Sequence, residues 1–342
     1  MRLGIAFDLI PSSPSGSATD GPDDAFEEFD KPETVDAIAN VLRGRGHYVL
    51  LLGNGPEFLR RVLDDPPDLV WNMAEGRGVG RCREARVPAV LEMLDIPYTG
   101  SDALTLAVSL DKDVAKRLVD SGGNVLVPGG SAFGPGTDEE VFRIIISQLL
   151  NAPDSRVILK PSFEGSSKGV RGRCLATTVD EAWETYRDLS ATYLQDIVIE
   201  KFVAGDEVTV GLIGNGSNVE VIGAMRIRPK VADPLFVYSL EVKRDWQRRV
   251  EYESPAQLPP DVERSLFDAA RRSYELLGCR DLARIDFRLR GDEPFFIEAN
   301  PLPGLAPVTS DLVILAAGYG ISHVQLIGRI FDAALARLGM NG

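Results

Sequence analysis

The chain has 342 residues, enough for two or three domains around a large apolar core. Its 51 acidic residues outnumber 37 Lys and Arg, and the net charge of -14 repels a nucleic-acid backbone, so no DNA or RNA partner is expected. Three scattered cysteines, Cys82, Cys174 and Cys279, have neither metal-site spacing nor the pattern of a disulfide framework. No run approaches the roughly 20 apolar residues of a membrane span. The opening "MRLGIAFDLIP" is interrupted by Asp8 and lacks a signal-peptide cleavage site, so no membrane partner and a cytoplasmic location are expected.

In chain order, "RLGIAF" (2 to 7) predicts a buried strand, followed by a polar acidic loop, "SSPSGSATDGPDD". "PETVDAIANVLRGRG" predicts a helix opened by proline and closed by Gly44 or Gly46. "YVLLLG" and "DLVWNM" predict further strands, and the alternation of strands and helices predicts a parallel sheet covered on both faces over residues 1–108. "CREARVPAVLEMLDIPYTG" supplies a helix, as does "SLDKDVAKRLVDSGG", with Ser109 or Asp111 as its cap. Short strands, "RVILKP", "KGVRG" and "DIVIEKFV", then surround a helix near 180–190, giving a small α+β unit over 109–209. The remainder, 210–342, predicts strands "EVTVGLIG" and "VEVIGAMRI", an irregular stretch from Pro229 to Pro260, a long helix, a hairpin and a closing helix.

Three stretches carry chemistry. "LKPSFEGSSKGVRG" (159 to 172) ends a strand at Lys160 and continues through Gly165, Ser166 and Ser167, small residues whose backbone N–H groups can close around a phosphate. It lacks the Walker order, and no dinucleotide fingerprint follows the first strand. "VIEKFVAGDEVTVG" places Glu200 and Glu207 on either side of a Gly205 turn, suited to a base and a ribose. "ARIDFRLRGDEPFFIEANPLPG" forms a predicted hairpin in which Glu298 and Asn300 share a face, with Phe296 and Ile297 divided between the faces. If Asp286 lies opposite, three hard oxygen ligands converge as Mg²⁺ requires, with Arg284 on the same side.

These strings together, with "WNMAEGRGVG", "LDIPYTGSDALTLAVSLDKDVAK" and "GISH", resemble the D-alanine–D-alanine ligase family of the ATP-grasp superfamily over nearly the whole chain. The resemblance implies a three-domain ATP-grasp fold, α/β and α+β, with ATP between the central and C-terminal domains. It implies that Lys112, Lys160 and Lys243 contact phosphates, that Gly165, Ser166 and Ser167 form a mobile lid, and that Glu200 with Lys201, Phe202 and Val203 receives adenine. Glu207 would take the ribose and Ile297 would line the nucleotide. Asp286, Glu298 and Asn300 would ligate two Mg²⁺ ions, with Mn²⁺ as the substitute. Arg284 and the backbone at Gly304, with Ser166 and Lys243, would serve catalysis.

The implied reaction joins a carboxylate, such as that of an amino acid, to an amine through an acylphosphate, in a chain that the family suggests to be a homodimer. The alternatives are D-alanine–D-alanine ligation itself, a non-catalytic nucleotide-binding regulator, and a small-molecule kinase. The sequence departs from the family at the amino-acid sites. Asp8, Asp20, Asp23, Asp24 and Glu75 compete for the role of the N-terminal substrate-binding acid; Arg244 stands where the family has tyrosine and Lys168 where it has a small apolar residue. Both suggest recognition of an extra substrate carboxylate, and Thr309 or Ser310 is expected to grip the acceptor carboxylate.

Overall fold

The computed structural model describes residues 1–11 and 22–340, so Asp20 falls outside it. β1 (Arg2–Phe7), β2 (Tyr48–Gly53) and β3 (Leu69–Met73) form the expected parallel sheet in the order β2-β1-β3. Both faces are buried, which explains the unbroken apolar runs. Leu3, Ile5 and Trp71 pack with the helix Pro32–Gly44 on one face, while Ala6, Leu52 and Val70 pack against Phe58 and Leu91 on the other. Ile330 and Phe331 of the closing helix, His323–Leu338, belong to the first of these two cores, so the two ends of the chain share one apolar interior.

β4 (Gly130–Phe133), β5 (Val157–Pro161), β6 (Leu175–Ala176) and β7 (Ile197–Lys201) make an antiparallel sheet ordered β4-β7-β5-β6. Helices Glu139–Leu149 and Val179–Tyr193 cover the face that carries Val157, Leu159, Ile197 and Ile199. The period of two therefore turns Ile158, Lys160 and Glu200 to the opposite face. The expected strand at "KGVRG" is absent: Lys168 and Val170 donate backbone hydrogen bonds to Gly165 and Ser167, closing two successive turns. The glycines that suggested strand ends instead shape a compact loop.

β8 (Asp206–Gly214), β9 (Glu220–Pro229), β10 (Val250–Glu253), β11 (Asp281–Arg290) and β12 (Glu293–Asn300) form a second antiparallel sheet, β10-β9-β8-β11-β12. One face, with Val208, Val210, Ile285 and Phe287, buries against the helix Pro260–Leu277; Glu207, Thr209, Arg284, Asp286 and Arg288 alternate onto the other. β8 runs through positions 209 and 210, where the sequence suggested a division. The chain changes sheets in the turn between Lys201 and Asp206. The stretch 229–260 is less irregular than expected, holding helices Leu240–Arg244 and Trp246–Arg249 as well as β10. No single helix among the described residues is long and apolar enough to span a membrane.

Candidate active site

The polar faces of the two antiparallel sheets confront each other across a cleft of about 130 Å³. Into it point Lys160 and Glu200 from one sheet and Glu207, Arg284, Asp286 and Glu298 from the other. A second cavity of about 60 Å³ lies on the side of the N-terminal sheet domain. Lys112, Glu164, Ser166, Arg284 and Glu298 line both, so they form the wall through which the two spaces communicate.

The hairpin β11–β12 sets the wall. Asp286 pairs directly with Glu298 and Arg284 with Asn300, the opposition on which the sequence reading made the convergence of ligands depend. Phe287 pairs with Phe296, leaving Ile297 as the extra residue of a β-bulge. A bulge lets consecutive side chains share a face. Phe296 and Ala299 consequently enter the apolar core while Ile297 and Glu298 line the cleft.

Arg284 grips both oxygens of Asp286, at 3.0 and 2.8 Å, and lies 3.4 Å from Asp311. Burial opposes its charge, but the carboxylates of Asp286 and Asp311 outweigh burial and raise its pKa. Thr209 donates to Asp286 at 2.6 Å, and Asn300 reaches the same carboxylate at 3.1 Å. Glu298 lies 3.4 Å from Lys112. Burial would raise its carboxyl, yet Lys112, Lys160 and Arg284 together hold it down at about 2. Asp286, Glu298 and Asn300 thus form a compact set of hard oxygen donors with at least one oxygen strongly ionised, a donor set that fits Mg²⁺.

Lys112 begins the helix Lys112–Ser121, whose cap is Asp111: its carboxylate accepts from Asp113 N and Val114 N at 3.2 and 3.1 Å. Ser109 closes a preceding helix, Ala103–Leu110, which the sequence reading passed over. One turn beyond Lys112 comes Lys116, also overlooked. Its ammonium is 2.8 Å from Glu200, whose other oxygen is 2.9 Å from Lys160. Burial, reinforced by the neighbouring lysines, brings Lys116 down to about 8 despite Glu200. The spacing of four places both lysines on one helical face, a signal the sequence did carry.

Glu200 is therefore clamped between two ammonium groups. What remains open toward a base is backbone: buried Val203 has its carbonyl bound by Arg288 at 3.0 Å, and its N–H has no hydrogen-bond partner among the described residues. Lys201 N and Phe202 N are taken by Gly129 O and Arg156 O. Arg288 also stacks 4.7 Å from the Phe202 ring and holds Glu207 at 2.7 Å.

Ser166 and Ser167 both adopt left-handed backbone, φ 50° and 60°, a costly conformation for residues with a Cβ that recurs at ligand clamps. Lys243 reaches Ser166 Oγ at 3.4 Å, and Ser167 donates to Tyr238 O at 2.9 Å. Glu28, absent from the sequence-based candidates, accepts from Gly165 N at 2.5 Å and pairs with Arg83 at 2.7 Å and Lys168 at 3.0 Å. It sits in "FEEFDKPE", which carries no motif.

Among the competing acids, Asp8 is bound by Asn54 and Gly76 N, and Asp24 by Tyr193, Arg171 and Gly169 N. Asp23 pairs with Arg244 at 3.0 Å. Glu75 alone of the four lines the second cavity. Arg244 reaches Glu27 as well, at 2.5 Å, and Lys168, which lines the larger cleft, pairs with Glu164 as well as Glu28, so both cations are engaged by acids of this chain. Ser310 is engaged by Ala306 N at 2.9 Å, and Thr309 is exposed; neither lines either of these two cavities, although Gly304 lines the second.

Residues 137–332 match the family described as D-ala D-ala ligase C-terminus. The chain is 31% identical over 304 residues to the D-alanine–D-alanine ligase of Anaeromyxobacter sp. strain K, covering 87% of this chain and 90% of that protein. The chain belongs to the D-alanine–D-alanine ligase family. As a member of this family it is an enzyme, a ligase of three-domain ATP-grasp architecture. The fold matches the D-alanine–D-alanine ligase from Bacillus anthracis complexed with ATP, with a TM-score of 0.72 at 19% identity and 98% of both chains covered. Another family relative, an uncharacterized protein of Sinorhizobium fredii, is 31% identical over 319 residues, or 90% of this chain and 89% of that one.

Proposed function

We propose that this ligase consumes ATP to activate a carboxylate as an acylphosphate and then joins it to an amine, with a substrate that differs from D-alanine. The observation that carries this reading is the wall of Lys112, Glu164, Ser166, Arg284 and Glu298 shared by two cavities, one with lysines and acids of both sheets and one lined chiefly by acids. Phosphoryl transfer belongs at such a wall, because the donor and acceptor must meet in line while water stays out.

ATP would lie in the larger cleft, its base against Val203 and Ile297, its ribose at Glu207, and its phosphates toward Lys160, Lys112 and Lys243. Asp286, Glu298 and Asn300 would hold Mg²⁺, which when bound neutralises phosphate charge during transfer. The substrate carboxylate attacks the γ-phosphorus, ADP departs, and the amine then adds to the acyl carbon, expelling phosphate. Arg284, fixed by Asp286, stands ready for the oxyanion of that second step. Ser166 and Ser167 close the space, which an acylphosphate needs because water destroys it.

The divergent substrate is supported by the family tyrosine being Arg244, turned to Asp23 and Glu27, and by Glu28 being neutralised by Arg83 and Lys168.

The test is amine-dependent ADP release with Mg-ATP, D-alanine alone first and then pairs of amino acids and small carboxylates, with product masses recorded. A condensed product from another pair is expected. D-Alanyl-D-alanine would refute the divergent substrate, and a stable phosphorylated product formed without amine would refute ligation.

A further inference from the structure

The second cavity gathers more carboxyl groups than the protein pairs with cations. Glu28, Glu75, Glu84 and Glu164 crowd it. Two cations serve them: Arg83 lies 2.7 Å from Glu28 and 3.5 Å from Glu164, and Lys168 pairs with the same two acids. Gln195 also donates to Glu164 at 2.7 Å. Lys112 is directed to Glu298 and the Glu164 carbonyl. Nearby arginines face elsewhere, Arg77 to Asp8, Arg81 to Asp111 and Arg86 to the Arg77 carbonyl.

Glu75 and Glu84 are left over. Neither makes a hydrogen bond or ion pair among the described residues, yet both line the cavity, and Glu84 is only 7% exposed. A buried carboxylate without a partner is costly and is ordinarily satisfied by a ligand or ion. Burial, Glu28 and Glu164 hold Glu84 up at about 7 against Arg83 and Lys112, and Glu75 is raised as well, by burial first and then by Glu84 and Glu28. Two carboxyl groups of the site thus have no cation of their own, and a ligand cation beside them would favour their charged forms.

We infer that the second cavity takes a substrate with two ammonium groups, a diamino carboxylic acid, whose charges meet Glu75 and Glu84 while its carboxylate faces Lys112 and Arg284. This deepens the ligase reading and rests on it for the carboxylate. A mono-amino acid supplies one ammonium and leaves one of the two unpartnered acids, buried Glu84 or half-buried Glu75, uncompensated. The pair therefore selects against it as well as for the diamino compound.

Calorimetric titration of the full chain with Mg and a non-hydrolysable ATP analogue tests this without turnover. The probes are both enantiomers of ornithine and 2,4-diaminobutyrate, each against its mono-amino counterpart, norvaline or 2-aminobutyrate. The diamino compound should bind more tightly by about ten-fold or more, the worth of one charged hydrogen bond. Glu84→Gln and Glu75→Gln should each remove most of that preference, with melting temperature recording that the variants fold.

Equal binding of the two classes, no binding of either, or a preference that survives in both folded variants would overturn the inference. Equal binding accompanied by ADP release from mono-amino pairs leaves the ligase reading intact. A diamino preference abolished by both variants, with no ADP released from any pair, sinks the ligase reading instead.

Discussion

Glu84 is a residue whose chemistry and stability pull in opposite directions. Its carboxyl titrates at about 7 in the folded chain against 4.5 ordinarily, chiefly because burial disfavours the charged form. Between those values the native state holds a proton that the unfolded chain has lost. Its contribution is fully present below pH 4.5 and disappears as the pH rises through 7. Glu84→Gln should therefore stabilise the ligand-free protein at pH 8 by about 1–3 kcal/mol, the scale of one buried polar group relieved of its charge. It should also flatten the decline of melting temperature across that window, read by calorimetry at half-unit pH steps. A purely structural role predicts destabilisation. Arg284 is tied to the chemistry: Arg284→Ala should lower kcat about 100- to 1000-fold, the usual loss for one oxyanion donor, while KM for ATP changes little. Legibility at this level was uneven. Arg284, Asp286, Glu298 and Asn300 were readable because strand alternation fixes which side chains share a face. Glu28, Arg83 and Glu84 were not, because they converge from loops distant in sequence with no period to reveal them.

The helix Lys112–Ser121 carries two cleft lysines and depends on its cap. Asp111 accepts two backbone N–H groups there and lies 2.8 Å from Arg81. Replacing it with alanine should cost about 1–2 kcal/mol of stability by losing the cap. Fraying would also move Lys112 first, so KM for ATP should rise in steady-state assays while unfolding remains cooperative. The cap was legible as one of two choices. Ser109 could not be excluded from the sequence because the separate helix Ala103–Leu110 was unrecognised, although Asp102 caps it by accepting from Thr105 N at 2.9 Å. The opposite error occurred at "KGVRG", where the chain closes two successive turns instead of a strand, with Gly169 in left-handed backbone just after Ser167. The bulge at Ile297 was invisible too, since an extra residue in a ladder leaves composition unchanged.

Over the whole molecule, Asp281 is the junction that holds distant segments in place. It is fully buried with φ 64°, and accepts from Gly100 N at 2.7 Å, Asn215 at 2.9 Å and Arg337 at 2.7 and 2.9 Å. It thereby joins the exit of the N-terminal sheet domain, the end of β8, the start of β11 and the closing helix. Asp281→Ala would leave the Arg337 guanidinium without its carboxylate, and should cost about 3–5 kcal/mol, as breaking a buried pair does. Urea denaturation should show that loss in one transition seen by probes at both chain ends, not as separate melting of the first hundred residues. The division of the chain into successive α/β and α+β segments was legible from element order. The union of its first and last elements was not, because hydrophobic periodicity shows that a face is buried and says nothing of which partner buries it.

That union bears on how the protein is made. Leu3, Ile5, Ile38, Leu42 and Trp71 bury against Leu326, Ile330 and Phe331, which are synthesised much later. Roughly 250 residues separate Trp71 from that partner, an interval of some tens of seconds at about 5–20 residues per second. Throughout it, the first sheet and its helix present a bare apolar face to solvent or to a chaperone. The sheet of β1, β2 and β3 therefore leaves the ribosome well before its packing is complete, which makes a chain stalled in that interval prone to aggregate.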